Sequence, residues 1–155
     1  MQSPIGPLLL VGSDDSLREI LFVNGRTPAS ADPSWRRDDT VLREVTRQLN
    51  AYFAGDLQLF DLSLTPKGTP FQLSVWKQLC EIPYGETTSY GELANRIGNP
   101  KACRAVGLAN GSNPIPIIIP CHRVIGSNGK LSGYGGGLPI KEKLLALEQR
   151  QLRLL

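Results

Sequence analysis

The chain has 155 residues, of which 41% are hydrophobic and 20% are charged, and its formal net charge is +3. This is the composition of a soluble globular protein with one domain or two small ones. No apolar run approaches the roughly 20 residues that cross a bilayer, and no basic region precedes an apolar stretch at the N-terminus. We therefore expect neither a membrane protein nor a secreted one. Three cysteines do not make a disulfide framework, so we expect a reducing, cytoplasmic compartment.

Charge is divided unevenly between the two halves of the chain. Residues 1–65 carry a net charge of −3, whereas residues 66–155 carry +6 and contain no aspartate. The basic half is compatible with a polyanionic partner, although a solvated basic surface is the commoner explanation of such an excess. Residues 65–68 form a candidate linker, which predicts a structural domain at residues 1–65 and a second, functional domain at residues 66–155.

Two short apolar runs, residues 3–11 and 17–23, flank a Gly-Ser-Asp-Asp-Ser turn at residues 12–16. Apolar runs separated by such a polar turn predict a β-hairpin, which here begins almost at residue 1. Residues 24–37 are rich in Pro, Ser and Gly and predict a loop. The N-terminal half is therefore expected to start with a small sheet.

A helix is predicted after this loop, because Asp38 and Asp39 place negative charge where a helix N-terminus favours it. Apolar residues recur at helical spacing as far as Ala54, and Gly55 is expected to end the helix. Residues 57–64 alternate only in part and predict a short edge strand. No residue in this half demands chemistry, so we expect the half to be a structural support.

Helices are predicted at residues 69–80 and 89–97, because each segment begins with Thr or Ser followed three residues later by Gln or Glu, the pattern of a capping box. A Gly-Asn-Pro turn then leads into a third helix, which Asn99 is expected to cap and which covers residues 100–109. Two helices joined in this way predict a helix-turn-helix, although an ordinary helical hairpin fits the pattern equally well. The last predicted helix covers residues 139–150.

The only histidine of the chain, His122, directly follows Cys121 in the sequence Pro-Cys-His-Arg-Val at residues 120–124. A thiolate is the reactive form of cysteine, and it needs a neighbouring base or positive charge. The proline-rich apolar run at residues 113–120 predicts a stiff, extended, buried segment that carries the thiol to the bottom of a pocket. Residues 133–137, Gly-Tyr-Gly-Gly-Gly, predict a loop against which a ligand can lie. An inert thiol beside a structural histidine fits these residues about as well.

These residues resemble the O6-alkylguanine-DNA alkyltransferase family. The resemblance rests on the Pro-Cys-His-Arg-Val signature, the Asn113-Pro114 step before it and the glycine-rich loop after it, and it covers residues 69–148 and, more weakly, the first half. It implies an α+β fold: a small N-terminal α/β domain with an antiparallel sheet, then a mostly helical C-terminal domain with a helix-turn-helix and the active-site cysteine loop.

The resemblance also implies DNA repair by direct damage reversal. The alkyl group of O6-alkylguanine, with O4-alkylthymine as a further candidate substrate, is transferred irreversibly and stoichiometrically to Cys121 after nucleotide flipping. The residues with an implied part in the reaction are Cys121, His122, Glu148, Tyr90 and Lys141. The residues implied at the DNA surface are Arg104, Ala102, Ala105, Gly107, Tyr90 and Arg123. The residues implied around the substrate pocket are Asn113, Tyr134, Gly135, Gly136 and Val124.

By the same resemblance, Glu148, His122 and a water form the relay that keeps the cysteine sulfur anionic. Arg104 replaces the flipped guanine in the base stack, and Tyr90 hydrogen-bonds the guanine ring. Some family members have serine where this chain has Gly135, so a hydroxyl contact to the O6 atom is not expected here.

The resemblance implies no cofactor, and we expect no metal, because the N-terminal half has neither the cysteine nor the histidine ligands of the zinc-binding family members. The expected partner is double-stranded DNA that contains O6-alkylguanine and is bound through its minor groove. The protein is expected to be a monomer that can cluster on DNA, on the nucleoid if the cell is prokaryotic.

Two alternatives remain open. A cysteine hydrolase that uses Cys121, His122 and Glu148 would turn over repeatedly. A non-catalytic DNA-binding protein would sense the lesion without accepting its alkyl group.

Overall fold

The structure, a computed structural model, describes residues 1–13 and 16–154 and has the predicted α+β fold. Strands β1 (Leu8–Ser13) and β2 (Ser16–Phe22) form the predicted antiparallel hairpin. The short strand β3 (Ser63–Leu64) pairs with β2 in parallel, so the sheet has the order β1-β2-β3 and is mixed, whereas an antiparallel sheet was expected. The aspartates of the predicted hairpin turn, Asp14 and Asp15, lie outside the described residues.

Helix α1 (Arg43–Ala54) begins later than the aspartate pair predicted. The carboxylate of Asp38 accepts hydrogen bonds from the backbone N–H of Thr40 at 2.8 Å and from its hydroxyl at 2.6 Å. An aspartate that binds the backbone two residues ahead favours a turn over a helix, and this moves the helix start down the chain. Gly55 ends α1 as predicted, in the left-handed conformation with a φ of 82°.

Two of the predicted helix starts in the second half are confirmed. Helix α2 (Pro70–Leu79) begins with the full capping box of Thr69 and Gln72. Helix α3 (Tyr90–Arg96) begins at Ser89, whose hydroxyl accepts the N–H of Glu92 at 3.1 Å. The Glu92 side chain bonds Arg96 one turn further on, which forms a surface ion pair along the helix.

Helix α4 (Cys103–Gly111) completes the helix-turn-helix, but it begins three residues after the predicted start at Pro100. The carbonyl of Asn99 accepts a hydrogen bond from the N–H of Ala102 at 3.0 Å, so the Gly-Asn-Pro segment is a turn that ends where the helix starts. The two helices pack against each other and against α2.

The segment that leads to the cysteine is buried as predicted, but it is folded into turns and is not extended. The side chain of Asn113 bridges it: its Oδ1 accepts from Ile115 N–H at 3.0 Å, and its Nδ2 donates to the Ile119 carbonyl at 2.8 Å. These bonds hold residues 113–119 in a compact turn. Within it, Ile117 has a φ of 75°, which is an outlier for a β-branched residue.

After these turns comes one turn of 3-10 helix at Cys121–Arg123, followed by strand β5 (Val124–Ile125). Strand β5 pairs in parallel with strand β4 (Thr88–Ser89), which immediately precedes α3. The pairing ties the cysteine segment to the start of the helix-turn-helix. Neither of these two strands was predicted from the sequence.

The chain ends with helix α5 (Leu138–Arg153), which buries Lys141, Leu144 and Glu148. Buried apolar residues from both halves form one continuous core, in which Leu49 of α1 and Leu93 of α3 are both fully enclosed. The predicted division of the chain at residue 65 stays a prediction. Within the described ranges, no helix is both long and apolar enough to cross a membrane.

Candidate active site

Cys121 lies at the bottom of a cavity of about 170 Å³ and is only 5% exposed. The cavity lies between the two halves of the chain. Its walls from the N-terminal half are strand β2 and the loop after it, through Ile20, Leu21, Phe22, Thr27 and Ala29. Its walls from the C-terminal half are Asn110, Gly111, Asn113, Pro116, Gly133, Tyr134 and Gly135. The first half was expected to be a support only, and the structure corrects this, since that half shapes the cavity.

Burial and hydrogen bonding act in opposite directions on the protonation of the Cys121 sulfur. Burial raises the pKa of Cys121 to about 11, against the hydrogen bond from Asn113, the charge of Lys141 and backbone N–H groups, which lower it. A buried charged group loses its hydration, and these partners compensate only in part. The raised pKa favours the thiol in the free protein, so the anionic sulfur stays a prediction for the DNA-bound state, in which the thiol proton must first be removed.

The carboxylate of Glu148 on α5 is the centre of a buried hydrogen-bond cluster. Its Oε1 accepts from His122 Nε2 at 2.7 Å, Tyr52 hydroxyl at 2.8 Å and Arg123 Nη2 at 2.9 Å. Its Oε2 accepts from Arg123 Nε at 3.0 Å and the backbone N–H of Gly85 at 3.1 Å. His122 and Glu148 are both fully buried, so the expected contact between them is present.

Protonation states within this cluster follow from burial and hydrogen bonding. Burial acts to raise the pKa of Glu148, but the hydrogen bonds and charges of His122 and Arg123 outweigh it and bring the pKa to about 2. Burial lowers the pKa of His122, against the hydrogen bond and charge of Glu148. A neutral His122 must therefore donate its Nε2–H to the carboxylate, which leaves the lone pair on Nδ1. Nδ1 is buried and has no hydrogen-bond partner among the described residues, so the ring can act as a base.

Arg123 was predicted at the DNA surface, and this is wrong. The side chain is buried and makes a two-point contact with the Glu148 carboxylate. Its remaining terminal nitrogen donates to the Ile82 carbonyl at 2.7 Å, and the guanidinium lies over the Tyr84 ring. A buried carboxylate requires such a partner, so Arg123 neutralises Glu148 and is not available to phosphates.

Lys141 is fully buried and joins strand β5 to the segment just before the glycine-rich loop. Its Nζ donates to the Val124 carbonyl at 2.6 Å and to the Ser132 carbonyl at 2.8 Å. Burial lowers the pKa of Lys141, although the nearby Cys121 opposes this. The lysine therefore fixes the backbone on both sides of the cavity floor, and its predicted part in the reaction stays a prediction.

Three of the five predicted pocket residues line the cavity: Asn113, Tyr134 and Gly135. The other two do not. The side chain of Val124 is completely enclosed in the core, and Gly136 packs against Phe22.

A wider, more open cavity of about 570 Å³ continues from the first toward the helix-turn-helix. Tyr90 and Gly107 line it, together with Arg26 from the N-terminal half. The Tyr90 hydroxyl forms a 2.8 Å hydrogen bond with the hydroxyl of Ser132, which directly precedes the glycine-rich loop. Tyr90 is therefore placed at the mouth of the cavity that ends on Cys121.

Four of the six residues predicted at the DNA surface lie on α4 or directly before it. Arg104 and Ala105 are exposed, and Ala102 and Gly107 are half-buried. Apart from Arg104 these side chains are small, so another molecule can approach the helix backbone closely. Their contacts with DNA stay predictions.

Sequence reasoning missed Tyr52. It lies on the buried face of α1, where a tyrosine is more simply explained as part of the core, and its hydroxyl partner Glu148 is 96 residues away in the chain. No local signal marks such a contact.

The chain matches two family models along nearly its whole length. Residues 70–150 match the 6-O-methylguanine DNA methyltransferase, DNA binding domain, and residues 1–66 match the 6-O-methylguanine DNA methyltransferase, ribonuclease-like domain. A methylated-DNA–protein-cysteine methyltransferase of Methanosarcina acetivorans is 59% identical over 147 residues, which are 95% of this chain and 94% of the relative. The protein of that name from Mycobacterium tuberculosis is 54% identical over 149 residues, 96% of this chain and 90% of the relative.

The fold agrees with solved structures. The crystal structure of Mycobacterium tuberculosis OGT in complex with DNA superimposes with a TM-score of 0.91 at 52% identity, over 97% of this chain and 91% of that one. The fold and the matched domains thus define a DNA-binding alkyl-transfer protein. The chain belongs to the methylated-DNA–protein-cysteine methyltransferase family. This membership makes it a DNA repair enzyme, and it supports neither the hydrolase nor the non-catalytic alternative.

Proposed function

We propose that the protein repairs double-stranded DNA by moving the alkyl group from the O6 atom of a flipped guanine to the Sγ of Cys121, once per molecule. One observation carries the proposal: Cys121 closes a cavity that opens toward α4, with a buried His122–Glu148 pair behind it. A nucleophile in a base-sized recess beside a DNA-binding helix suits a reaction on a single extruded base.

The base must leave the duplex before it can enter this cavity, which costs roughly a few kcal/mol of stacking and pairing. Helix α4 would lie in the minor groove, where Ala102, Ala105 and Gly107 permit close approach. The exposed Arg104 would occupy the space that the guanine leaves. The Mycobacterium tuberculosis relative has been crystallised with DNA, which supports DNA as the partner of the same fold here. We take the acting species to be a monomer.

The chemical step is an in-line displacement. The thiol proton of Cys121 passes to His122, directly or through a water, while Glu148 stabilises the imidazolium that forms. Sγ then attacks the alkyl carbon; the S–C bond forms as the C–O6 bond breaks, and the electron pair stays on the guanine. Tyr90 would donate a hydrogen bond to the guanine ring and assist its departure. The thioether product is too stable to hydrolyse, so the protein is consumed.

The backbone of residues 133–135, which lines the cavity, would face the guanine. O4-alkylthymine carries an equivalent alkoxy group and is the second lesion to assay.

The test is incubation with an excess of duplex that contains one O6-methylguanine, followed by mass spectrometry of the cysteine peptides. We expect one methyl group on the Cys121 peptide and none on the peptide of Cys103, an exposed cysteine on α4. Repair should stop at one equivalent of DNA and should be abolished in Cys121→Ala but not in Cys103→Ala. An unmodified Cys121 peptide, or repair of many equivalents, would overturn the proposal.

A further inference from the structure

The side chain of Tyr52 connects the N-terminal half to the site described above. It is completely buried near the end of α1, and its hydroxyl donates to Oε1 of Glu148 at 2.8 Å. The same oxygen accepts the His122 Nε2–H at 2.7 Å. Among the described residues of the first half, Tyr52 is the one whose side chain hydrogen-bonds the cluster of His122, Arg123 and Glu148.

The Tyr52 ring is held on several sides. It contacts the Phe53 and Phe60 rings at centroid distances of 5.4 Å each and the Tyr84 ring at 6.1 Å. A ring packed in this way has little freedom, so its hydroxyl has one direction in which to point. Burial, together with the neighbouring Glu148 charge, raises the pKa of Tyr52, so the group is an O–H donor throughout the working pH range.

A buried tyrosine hydroxyl needs some acceptor, and a backbone carbonyl would satisfy it. Here the acceptor is a carboxylate oxygen that also orients the histidine. Hydrogen bonds to a charged group are stronger and more directional than neutral ones. The Tyr52 bond therefore restricts rotation of the carboxylate, and through it the histidine ring.

We propose that Tyr52 is a positioning residue for the alkyl transfer: it holds Oε1 of Glu148 where His122 can donate to it, so that the other ring nitrogen faces the site of proton removal. This inference rests on the function proposed above. Tyr52 does not line either cavity, so it acts through Glu148 and touches no substrate.

The chain offers a matched control in Tyr84. Its ring packs against Tyr52 and under Arg123, but its buried hydroxyl has no hydrogen-bond partner among the described residues. Tyr52→Phe and Tyr84→Phe thus each remove one oxygen from the same aromatic cluster. Only the first of these substitutions removes a bond to Glu148.

The first measurement is the single-turnover methyl-transfer rate as a function of duplex concentration. We expect Tyr52→Phe to lower the saturating rate about tenfold, within the hundredfold that a misplacement of about 1 Å can produce. The half-saturating DNA concentration should not change, because Tyr52 is on no exposed face. Tyr84→Phe should match the wild type in both quantities.

The second measurement needs no DNA, since His122 is the only histidine and gives one set of imidazole nitrogen signals in ¹⁵N NMR. The charged and titratable groups around Glu148 are Tyr52 on α1, Tyr84 after α2, His122 and Arg123 on the 3-10 turn, and Lys141 on α5, with Cys121 and Tyr134 nearby. Without the Tyr52 donor, the Glu148 charge is less compensated and stabilises a protonated His122 more strongly. The titration midpoint of His122, the pH at which half of the imidazole is protonated, should therefore be higher in Tyr52→Phe than in the wild type. It should be unchanged in Tyr84→Phe. The pH below which the methyl-transfer rate falls should also be higher in Tyr52→Phe.

These measurements distinguish failure of the proposed alkyl-transfer function from failure of the positioning role of Tyr52. No transfer by the wild type would overturn the proposed function. Normal transfer by Tyr52→Phe, with an unmoved His122 midpoint, would overturn the positioning role alone. If Tyr52→Phe fails to fold while Tyr84→Phe folds, the hydroxyl is a folding determinant and the positioning role is also overturned.

Discussion

Replacing Glu148 with glutamine removes a charge that three hydrogen-bonding side chains and one backbone N–H share. The side chain keeps its size, but one carboxylate oxygen becomes an amide N–H₂ that faces donors. Arg123 is then buried without its counter-ion, and the amide N–H₂ faces either the donors that Oε1 accepted, which include His122 Nε2–H, or the Arg123 Nε–H that Oε2 accepted. We expect a large loss of stability as well as loss of alkyl transfer.

The magnitude follows from the pKa of Glu148. Folding lowers it from an ordinary 4.5 to about 2, and each pKa unit corresponds to about 1.4 kcal/mol, so the native surroundings favour the carboxylate by about 3 kcal/mol. Breaking a buried ion pair by removing one partner costs about 3–5 kcal/mol. The two routes agree, and we expect Glu148→Gln to lower the free energy of unfolding at pH 7 by about 3 kcal/mol.

The assay is urea denaturation followed by circular dichroism between pH 7 and the lowest pH at which the wild type stays folded. The folded pKa is below the unfolded one, so the stabilisation is complete above pH 4.5 and is lost as the pH falls toward 2. The difference between wild type and Glu148→Gln should therefore shrink over that window. Glu142 lies on the same helix and is exposed, so Glu142→Gln is the control and should change stability by no more than about 0.5 kcal/mol. Equal stability of Glu148→Gln and wild type at pH 7, or a difference independent of pH, would refute this reasoning.

Three further predictions concern the cavity and the DNA face. At pH 7.5, iodoacetamide should modify the exposed Cys103 well before Cys121, since burial of Cys121 shields its sulfur and raises its pKa to about 11; peptide mass spectrometry over time shows the order, and equal rates would contradict it. Gly135→Ser should leave the melting temperature unchanged, because a Cβ there meets no atom within 4 Å, whereas Gly136→Ser should lower it, because a Cβ there comes within 3.1 Å of a packed side chain. Calorimetry distinguishes the two glycine variants. Arg104→Ala should weaken duplex binding, measured by fluorescence anisotropy, without loss of stability, since the side chain is exposed; unchanged binding would exclude it from the DNA face.

The sequence by itself determined the features that depend on residues close together in the chain. The Thr69 capping box and the left-handed Gly55 require only their immediate neighbours, and both are where the pattern predicted them. The Pro-Cys-His-Arg-Val signature, together with the Asn113-Pro114 step and the glycine-rich loop, indicated the family. The hairpin followed from two apolar runs around one polar turn.

The misplaced starts of α1 and α4 show the limit of such patterns. Asp38 and Asn99 suit a helix start and a turn equally well, because both geometries use the same short-range bonds. The choice depends on where the following helix packs, which the local sequence does not contain.

Only the tertiary structure decided the pKa values of the site residues and their hydrogen-bond partners. Cys121 and Arg123 both lie within a recognisable motif, yet burial raises the pKa of the first and pairs the second with Glu148 rather than with phosphate. Tyr52 reaches the same carboxylate from 96 residues away. Burial and long-range contacts are properties of the packed chain as a whole, and a pKa or a hydrogen bond between distant residues exists only once both halves have closed around them.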